Sequence, residues 1–541
     1  MELSSPGVGS GLDVKNLVDA IVTAEITPSQ VRHDKQLNSV NTELSALGQL
    51  KSYLTNLQTS LAKLSSLSQF YTMKSTISDP NYFSATLGTG ATKNTYQIEI
   101  QKLAQQHSLA SSYMTNTGSG TITVDFGTYN SDKTTFTPNP SATSVNITIA
   151  PGNDSLVAVR DAINNTNSGI TAGIVQDGQG SRLTITSLKT GENYAMKISG
   201  GVASLNYDPT MGVNSLTETV AAQNSTVKIN GLTLVQSSNQ LNEAITGVSI
   251  DLKKAEIGKV VTLTVDDNKD QLTGLINEFI KQYNDTMTFL TNLTGYNNET
   301  KQGGVFQGDP QFRNLKLNLN KWATTPLANQ EGPIRSLADL GIITNKQGLL
   351  EIKQDKFKTA LDNHYKEIGA LFAKTAKVND TGINIKSINS TVKSGHYDIV
   401  LTEFTPGVSM SGTIGGLSAT SSDGITLTGS GDLSGLSINV FSGSAGSRGQ
   451  ITVTDGIAVQ LSSLLDTYIE IKGDLDQRKD QLNNQAKQLN KIQNEIDIRR
   501  KSIETRYLKQ FTALDTLLSQ LQSTSVFLSQ QLANLPQLKL K

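Results

Sequence analysis

From Leu461 onward an apolar residue returns at every seventh position: Leu461, Tyr468, Leu475, Leu482, Leu489, Ile496 and Ile503. A period of seven keeps these side chains on one line of a helix, and so narrow a line needs a second helix to cover it. A matching line stands near the other end of the chain. Between Asp34 and Leu67 it comprises Leu37, Val40, Leu44, Leu47, Leu50, Leu54, Leu57, Leu61 and Leu64, with no proline and only Gly48 as a weak point. Neither helix buries its own stripe, so the economical fold packs the two ends of the chain side by side. The residues expected to pack this stalk are Leu37, Leu44, Leu47, Leu54 and Leu61 with Leu475, Leu482, Leu489, Ile496 and Ile503. A second C-terminal row, Leu464, Ile471 and Ile492, is interrupted by Arg478, Gln485 and Arg499, which makes the seam coiled-coil-like without making it a free-standing rod.

Everything between the two helices becomes an insertion. From Ser78 to Val265 the pattern changes to alternation, as in Tyr96–Ile100, Val145–Ile149, Leu183–Thr186 and Val260–Val265, punctuated by Gly, Asn and Asp turns. Helical spacing returns over 271–293 and 357–372. Residues 382–454 are rich in Gly, Ser and Thr with short β-like pieces such as Ile399–Thr402 and Ile451–Thr454, which reads as an additional β-rich insertion or, failing that, a disordered linker. The expected fold is multidomain α+β, a discontinuous helical stalk carrying inserted β-rich plate domains. Its parts are terminal segments 1–33 and 507–541, stalk segments 34–77, 268–381 and 455–506, a β-rich region 78–267 of two domains, and the insertion 382–454.

The extremities carry shorter stripes. Leu12, Val14, Leu17, Val18, Ile21 and Val22 form one amphipathic piece ending at Pro28, and Phe511, Leu514, Leu517, Leu518 and Leu521 form another set among Gln and Ser. Short, separate helices are marginal because nucleation is costly. Both segments are therefore expected to be disordered in the monomer and to fold against neighbours.

Chemistry is hard to find. Histidines His33, His107, His364 and His396 are scattered, with no pair spaced to bind zinc on one helix face. The run Gly7–Gly11 follows no strand and lacks a P-loop lysine, and Asp266, Asn268 and Asp270 open like a calcium loop but continue with Gln271 and Asn277 where glycine and glutamate are required. No nucleophile elbow occurs, so catalytic, cofactor and metal residues are expected to be none. With 46 basic against 47 acidic residues the net charge is -1, which argues against nucleic acid and anionic membrane as partners. Cysteine is absent from all 541 residues, excluding disulfides and thiolate sites. The opening residues lack the basic and apolar regions of a cleavable signal, so the expectation is a cytosolic protein or one exported without cleavage.

Several segments resemble one family. The run Pro6–Val18 with Pro28 and then a heptad helix is similar to the start of flagellar hook-associated protein 2, the filament cap. Inward, Ser155–Asn165 followed by Gly169–Asp177 looks like that family's strand-helix-strand repeat, and Val227–Gly231 through Ala244–Ile250 resembles a motif of flagellar axial proteins. Leu337–Asn345 with Gly348, then Ala370–Phe372, is similar to the family's second helical block. Residues 382–454 lie outside the resemblance.

The resemblance implies a secreted, non-enzymatic component of the bacterial flagellum at the distal filament tip, exported unfolded by the flagellar type III route. It implies a homo-oligomeric ring, most often a pentamer, that retains exported flagellin and promotes its insertion. Implied partners are flagellin, the hook-filament junction protein and a cytoplasmic export chaperone on the C-terminal helix. In that setting Leu12, Leu17, Val18, Ile21, Phe511, Leu514, Leu517, Leu518 and Leu521 become filament-contacting leg residues. An alternative expectation is a surface adhesin binding host glycan or mucus through the β-rich domains.

Overall fold

Asp13 starts the first long helix, its carboxylate accepting the Asn16 N–H at 3.1 Å as an N-cap. The helix runs unbroken through Val14–Leu64, 51 residues, or about 75 Å at the usual rise. Its buried column is Val14, Val18, Val22 and Ile26, then His33 and Val40, then Leu47, Leu50, Leu54, Leu57, Leu61 and Leu64. Pro28 lies inside it. The sequence suggested a short piece stopping at this proline and a disordered N-terminal segment; from Val14 onward both expectations are corrected. A proline forfeits one backbone hydrogen bond, but the column on either side of it is covered by the second long helix, Asp474–Ala533. Contacts bracket the proline closely. Gln30 and Gln493 exchange amide hydrogen bonds at 2.8 and 3.2 Å, and His33 Nε2 donates to the Leu489 carbonyl at 3.1 Å.

The computed structural model describes residues 13–166, 168–328 and 332–533. The chain forms two compact units, one from residues up to Phe70 together with Asp270 onward, the other from Tyr71–Lys269.

In the first unit the lower halves of the long helices share one core with the helices Lys269–Thr294, Pro310–Thr324 and Ile457–Ile469. Leu50, Leu54 and Leu57 meet Phe279, Tyr283 and Met287, and the Trp322 Nε1–H donates to the Ile457 carbonyl at 2.9 Å. The helix Pro310–Thr324 is an addition to the sequence reading, although Asp309 as N-cap, Pro310 at the first turn, and Phe312, Leu315 and Leu319 on one face signal it. The same unit holds an eight-stranded antiparallel sheet between Thr375 and Thr454, filled by Ile399, Leu401, Ile414, Leu427, Ile438 and Ile451 among others. Its outermost strands, Thr375–Val378 and Ile383–Ser387, are consecutive in the chain. Arg448, buried, ties the turn between them to a neighbouring loop, donating to Asp380 and to the Ser442 carbonyl at 2.6 Å each. The disordered-linker alternative for 382–454 is thereby excluded.

The second unit has two cores. One lies between a five-stranded sheet, running from Met73–Ile77 at one edge to Leu232–Gln236 at the other, and a three-stranded sheet centred on Val248–Leu252. The other joins a six-stranded sheet, a four-stranded sheet and the helix Leu156–Asn165. That helix is capped by Ser155, whose Oγ accepts the Ala158 N–H. Buried His107 stitches these sheets together. Its Nδ1 accepts the Met196 N–H at 2.9 Å, which leaves Nε2–H to donate to Glu218 at 3.0 Å, and Glu218 also holds Lys133. The Glu218 carboxyl is pushed down to about 2, chiefly by the His107 hydrogen bond.

Candidate functional site

The second long helix changes partner along its length. Leu475, Leu482 and Leu489 are buried in the helical core, while Ile496 and Ile503 are buried in a separate cluster with Val14, Val18, Val22 and Ile26. At the top of that cluster Tyr507 donates to Glu25 at 2.9 Å, Arg506 reaches the same carboxylate at 3.4 Å, and Tyr507, Leu508 and Phe511 pack on the rim. Beyond Phe511 the helix continues to Ala533, a further 22 residues or about 33 Å. From Gln520 to Ala533 every residue is exposed.

Two sequence changes coincide with that transition. Up to Ile503 the buried residues repeat every seven positions; from Ile503 the apolar positions step Tyr507, Phe511, Leu514, Leu518, Leu521, Leu528 and Leu532, with Ser525 in the gap. The two successive four-residue steps, Ile503 to Tyr507 to Phe511, make a stutter, which turns the seam around the helix beyond that point. Charge disappears as well: between Gln510 and Ala533 Asp515 is the sole ionisable side chain. Leu514, Leu517, Leu521, Val526, Phe527, Leu528 and Leu532 are each 45–67 % exposed. Soluble helices do not ordinarily leave so much contiguous apolar surface in water unless something binds it.

The residues expected to contact the filament divide accordingly. Leu12 lies outside the described residues. Val18 is buried against the second long helix, Ile21 is half-buried and Leu17 is exposed, so the N-terminal stripe is largely covered within the monomer, a correction to its reading as an unfinished surface. The C-terminal segment is helical up to Ala533 and in that respect also corrected, but its apolar side chains are only partly covered: Phe511, on the cluster's rim, and Leu518 are half-buried, and Leu514, Leu517 and Leu521 are exposed. Helix formation here continues from a long, well-packed helix, so no new nucleation is needed. Val526, Phe527, Leu528 and Leu532 extend the surface beyond the sequence reading; the continuing stripe and loss of charge were the available signal. Of the residues expected to pack the stalk, Leu47, Leu54, Leu61, Leu475, Leu482, Leu489, Ile496 and Ile503 are buried, while Leu37 and Leu44 are half-buried.

No group of three or more His, Cys, Asp or Glu side chains is placed to hold a metal among the described residues. Asp266 of the calcium-like run instead pairs with Lys93 at 2.5 Å, which holds its carboxyl below the ordinary range. Among the described residues no helix is long and apolar enough to cross a membrane.

Two family models account for most of the chain: the flagellar hook-associated protein 2 N-terminus over residues 10–107 and its C-terminus over 222–523. The chain belongs to the flagellar hook-associated protein 2 family. Similar relatives include flagellar hook-associated protein 2 of Escherichia coli K12, 29% identical with 98% of each chain covered. The A-type protein of Pseudomonas aeruginosa is 27% identical over 98% of this chain and 97% of the relative. Among solved structures, the flagellar cap protein FliD from Escherichia coli, domains D1-D2-D3, aligns with a TM-score of 0.51 at 25% identity, covering 81% of this chain and 99% of that one. Members of this family are structural components of the flagellum and not enzymes.

Proposed function

We propose that this chain caps the distal end of a flagellar filament as a homo-oligomeric ring, a pentamer, that retains exported flagellin and admits it at the growing tip. The observation that carries the proposal is the uncovered, nearly uncharged end of the second long helix beyond Phe511. As a preformed helix with an apolar surface it suits docking among the helices of flagellin or of the hook-filament junction protein. Before assembly the same surface needs cover, which suits a cytoplasmic chaperone and export by the flagellar type III route. A ring whose symmetry differs from the filament's leaves one leg unsatisfied at any moment, and that gap admits the next subunit. The adhesive alternative finds no support in the relatives' names.

Deleting everything after Arg506 tests the reading. The helical core contains no residue of the removed segment, so it should retain its amide-exchange protection while filament growth in a strain lacking its own cap stops. Filaments of normal length with the truncated protein would remove the leg assignment.

A further inference from the structure

In the second unit the strands Ser225–Ile229 and Leu232–Gln236 form a hairpin closed by Asn230 and Gly231, whose φ values of +49 and +84 make a two-residue turn. Such a turn makes Ile229 and Leu232 a hydrogen-bonded pair, and the alternation of an antiparallel ladder then fixes the residues that follow. Leu232, Leu234 and Gln236 turn their backbone groups to the neighbouring strand, while Thr233 and Val235 turn theirs outward. Leu232–Gln236 is the edge of its five-stranded sheet, so among the described residues no strand takes those four groups. The outward run ends at Ser237, whose carbonyl accepts the Thr190 hydroxyl at 2.7 Å.

Other edges in the second unit are blunted. Along Ile170–Asp177 the Asn164 side chain occupies both the N–H and the C=O of Ala172, at 2.8 and 2.9 Å. Thr217–Val220 and Gln240–Ile245 are bulged and carry Glu218 and Glu243, and Phe136–Pro138 ends in proline. Leu232–Gln236 has an even register and neither charge nor proline. Its core face is also unfinished: Leu234 stands opposite buried Val227, but Leu232 on the same face is 78 % exposed. One more strand would complete both the ladder and that face. We infer that this edge pairs antiparallel with the same edge of a second copy of the chain, Leu234 facing Leu234. In that register every outward group is used, Thr233 of each copy against Val235 of the other. It sets β-branched residues opposite each other twice and brings no charge against a like charge. The contact is two-fold, whereas a ring needs two different faces, so the pairing does not rest on the capping reading.

Cysteine cross-linking in the full chain tests it, because the parent contains no cysteine. In this register the two Leu234 Cα atoms lie about 4.5 Å apart, within disulfide reach, and the two Thr233 Cα atoms about 7–8 Å apart, beyond it. With oxidised glutathione as the electron acceptor, L234C at about 100 µM should become disulfide-linked dimer with a yield about fivefold above that of T233C. Thr233→Pro removes the outward N–H and no hydrogen bond of the hairpin, so T233P/L234C should melt within about 2 °C of L234C and cross-link about tenfold less. Sedimentation reads the same contact without cysteine: the mean mass of the parent should rise with concentration more steeply than that of T233P. Little dimer from L234C, equal yields from L234C and T233C, or yields indifferent to the proline would each overturn the pairing. A clearly lower melting temperature with the proline would show that the Thr233 N–H is used inside the chain, and would remove the ground for the open edge.

Discussion

Replacing Ile503 by alanine should release the top of the stalk while leaving the rest of the chain intact. Ile503 is 5 % exposed and belongs to a cluster of six buried residues, four of them from the first long helix, separate from the main helical core. Isoleucine to alanine removes three buried carbons at about 0.8 kcal/mol each, and a cavity term adds to that where neighbours cannot close in. This cluster stands near the end of a helix pair and can relax, so about 2 kcal/mol is the appropriate figure. Because the cluster is separate, the loss should act on local opening of Val14–Ile26 and spare global unfolding. Hydrogen exchange of that segment's amides should accelerate by about 30-fold, the factor that 2 kcal/mol implies, with exchange over Leu272–Leu290 unchanged. Leu521→Ala is the control: at 64 % exposure it should leave exchange everywhere unaltered. If Val14–Ile26 exchanges freely in the parent protein, or at the same rate in both, the N-terminal segment is not held by this cluster.

Three further outcomes can be measured. Glu218, ordinarily titrating near 4.5, is held at about 2 in the folded chain. Its contribution, roughly 3 kcal/mol by that shift, is fully present above pH 4.5 and disappears as pH falls through about 2, so Glu218→Gln should lower the melting temperature at pH 7 and flatten its decline between pH 5 and 2. Arg448→Ala removes the guanidinium from Asp380, whose carboxyl it holds below its ordinary range, and from the Ser442 carbonyl, leaving Asp380 only the Gly382 N–H; a loss of about 3 kcal/mol should appear as faster proteolysis within 379–445. Pro28→Ala restores a backbone donor inside the first long helix and should slow exchange around Ala24 by a factor of about ten or more.

The legible parts of this fold were those whose period persists. Leu475 to Ile503 and Leu47 to Leu64 repeat for many turns, and a long stripe admits only one burial solution, so the pairing of the chain ends followed from the sequence. The N-terminal segment did not. Pro28 is a strong local stop signal, and its cost is offset by a partner more than 460 residues away, through Gln493 and Leu489, which no local window contains. Likewise the Gly- and Ser-rich stretch after Gly382 has the composition of a linker. It folds because Ile399, Leu401, Ile414 and Ile438 are brought to one interior by strand pairing across up to 79 residues, between Thr375 and Thr454. At the candidate site the apolar positions were visible, but whether each was covered was not. Val18 and Leu514 look alike in the sequence and differ only in whether the opposite helix reaches them.

That difference divides the second long helix into a covered seam and an uncovered one, and the magnitudes bear on the proposed use of the uncovered part as a leg. Burying the surface still exposed on the seven apolar side chains from Leu514 to Leu532, 45–67 % of each, would supply about 6 kcal/mol at the low end of the per-residue scale. Association costs some 4–15 kcal/mol in lost rigid-body freedom, so a single leg is left with a weak, releasable contact. Little further cost arises from ordering the segment, since the helix is already formed as far as Ala533. Had the segment been disordered, as its sequence suggested, fixing 22 backbones at about 1 kcal/mol each would exceed the gain. Under the proposed capping function, a preformed leg on a stable stalk would dock weakly and repeatedly, and the other legs of the proposed ring would hold the assembly in place while one is free.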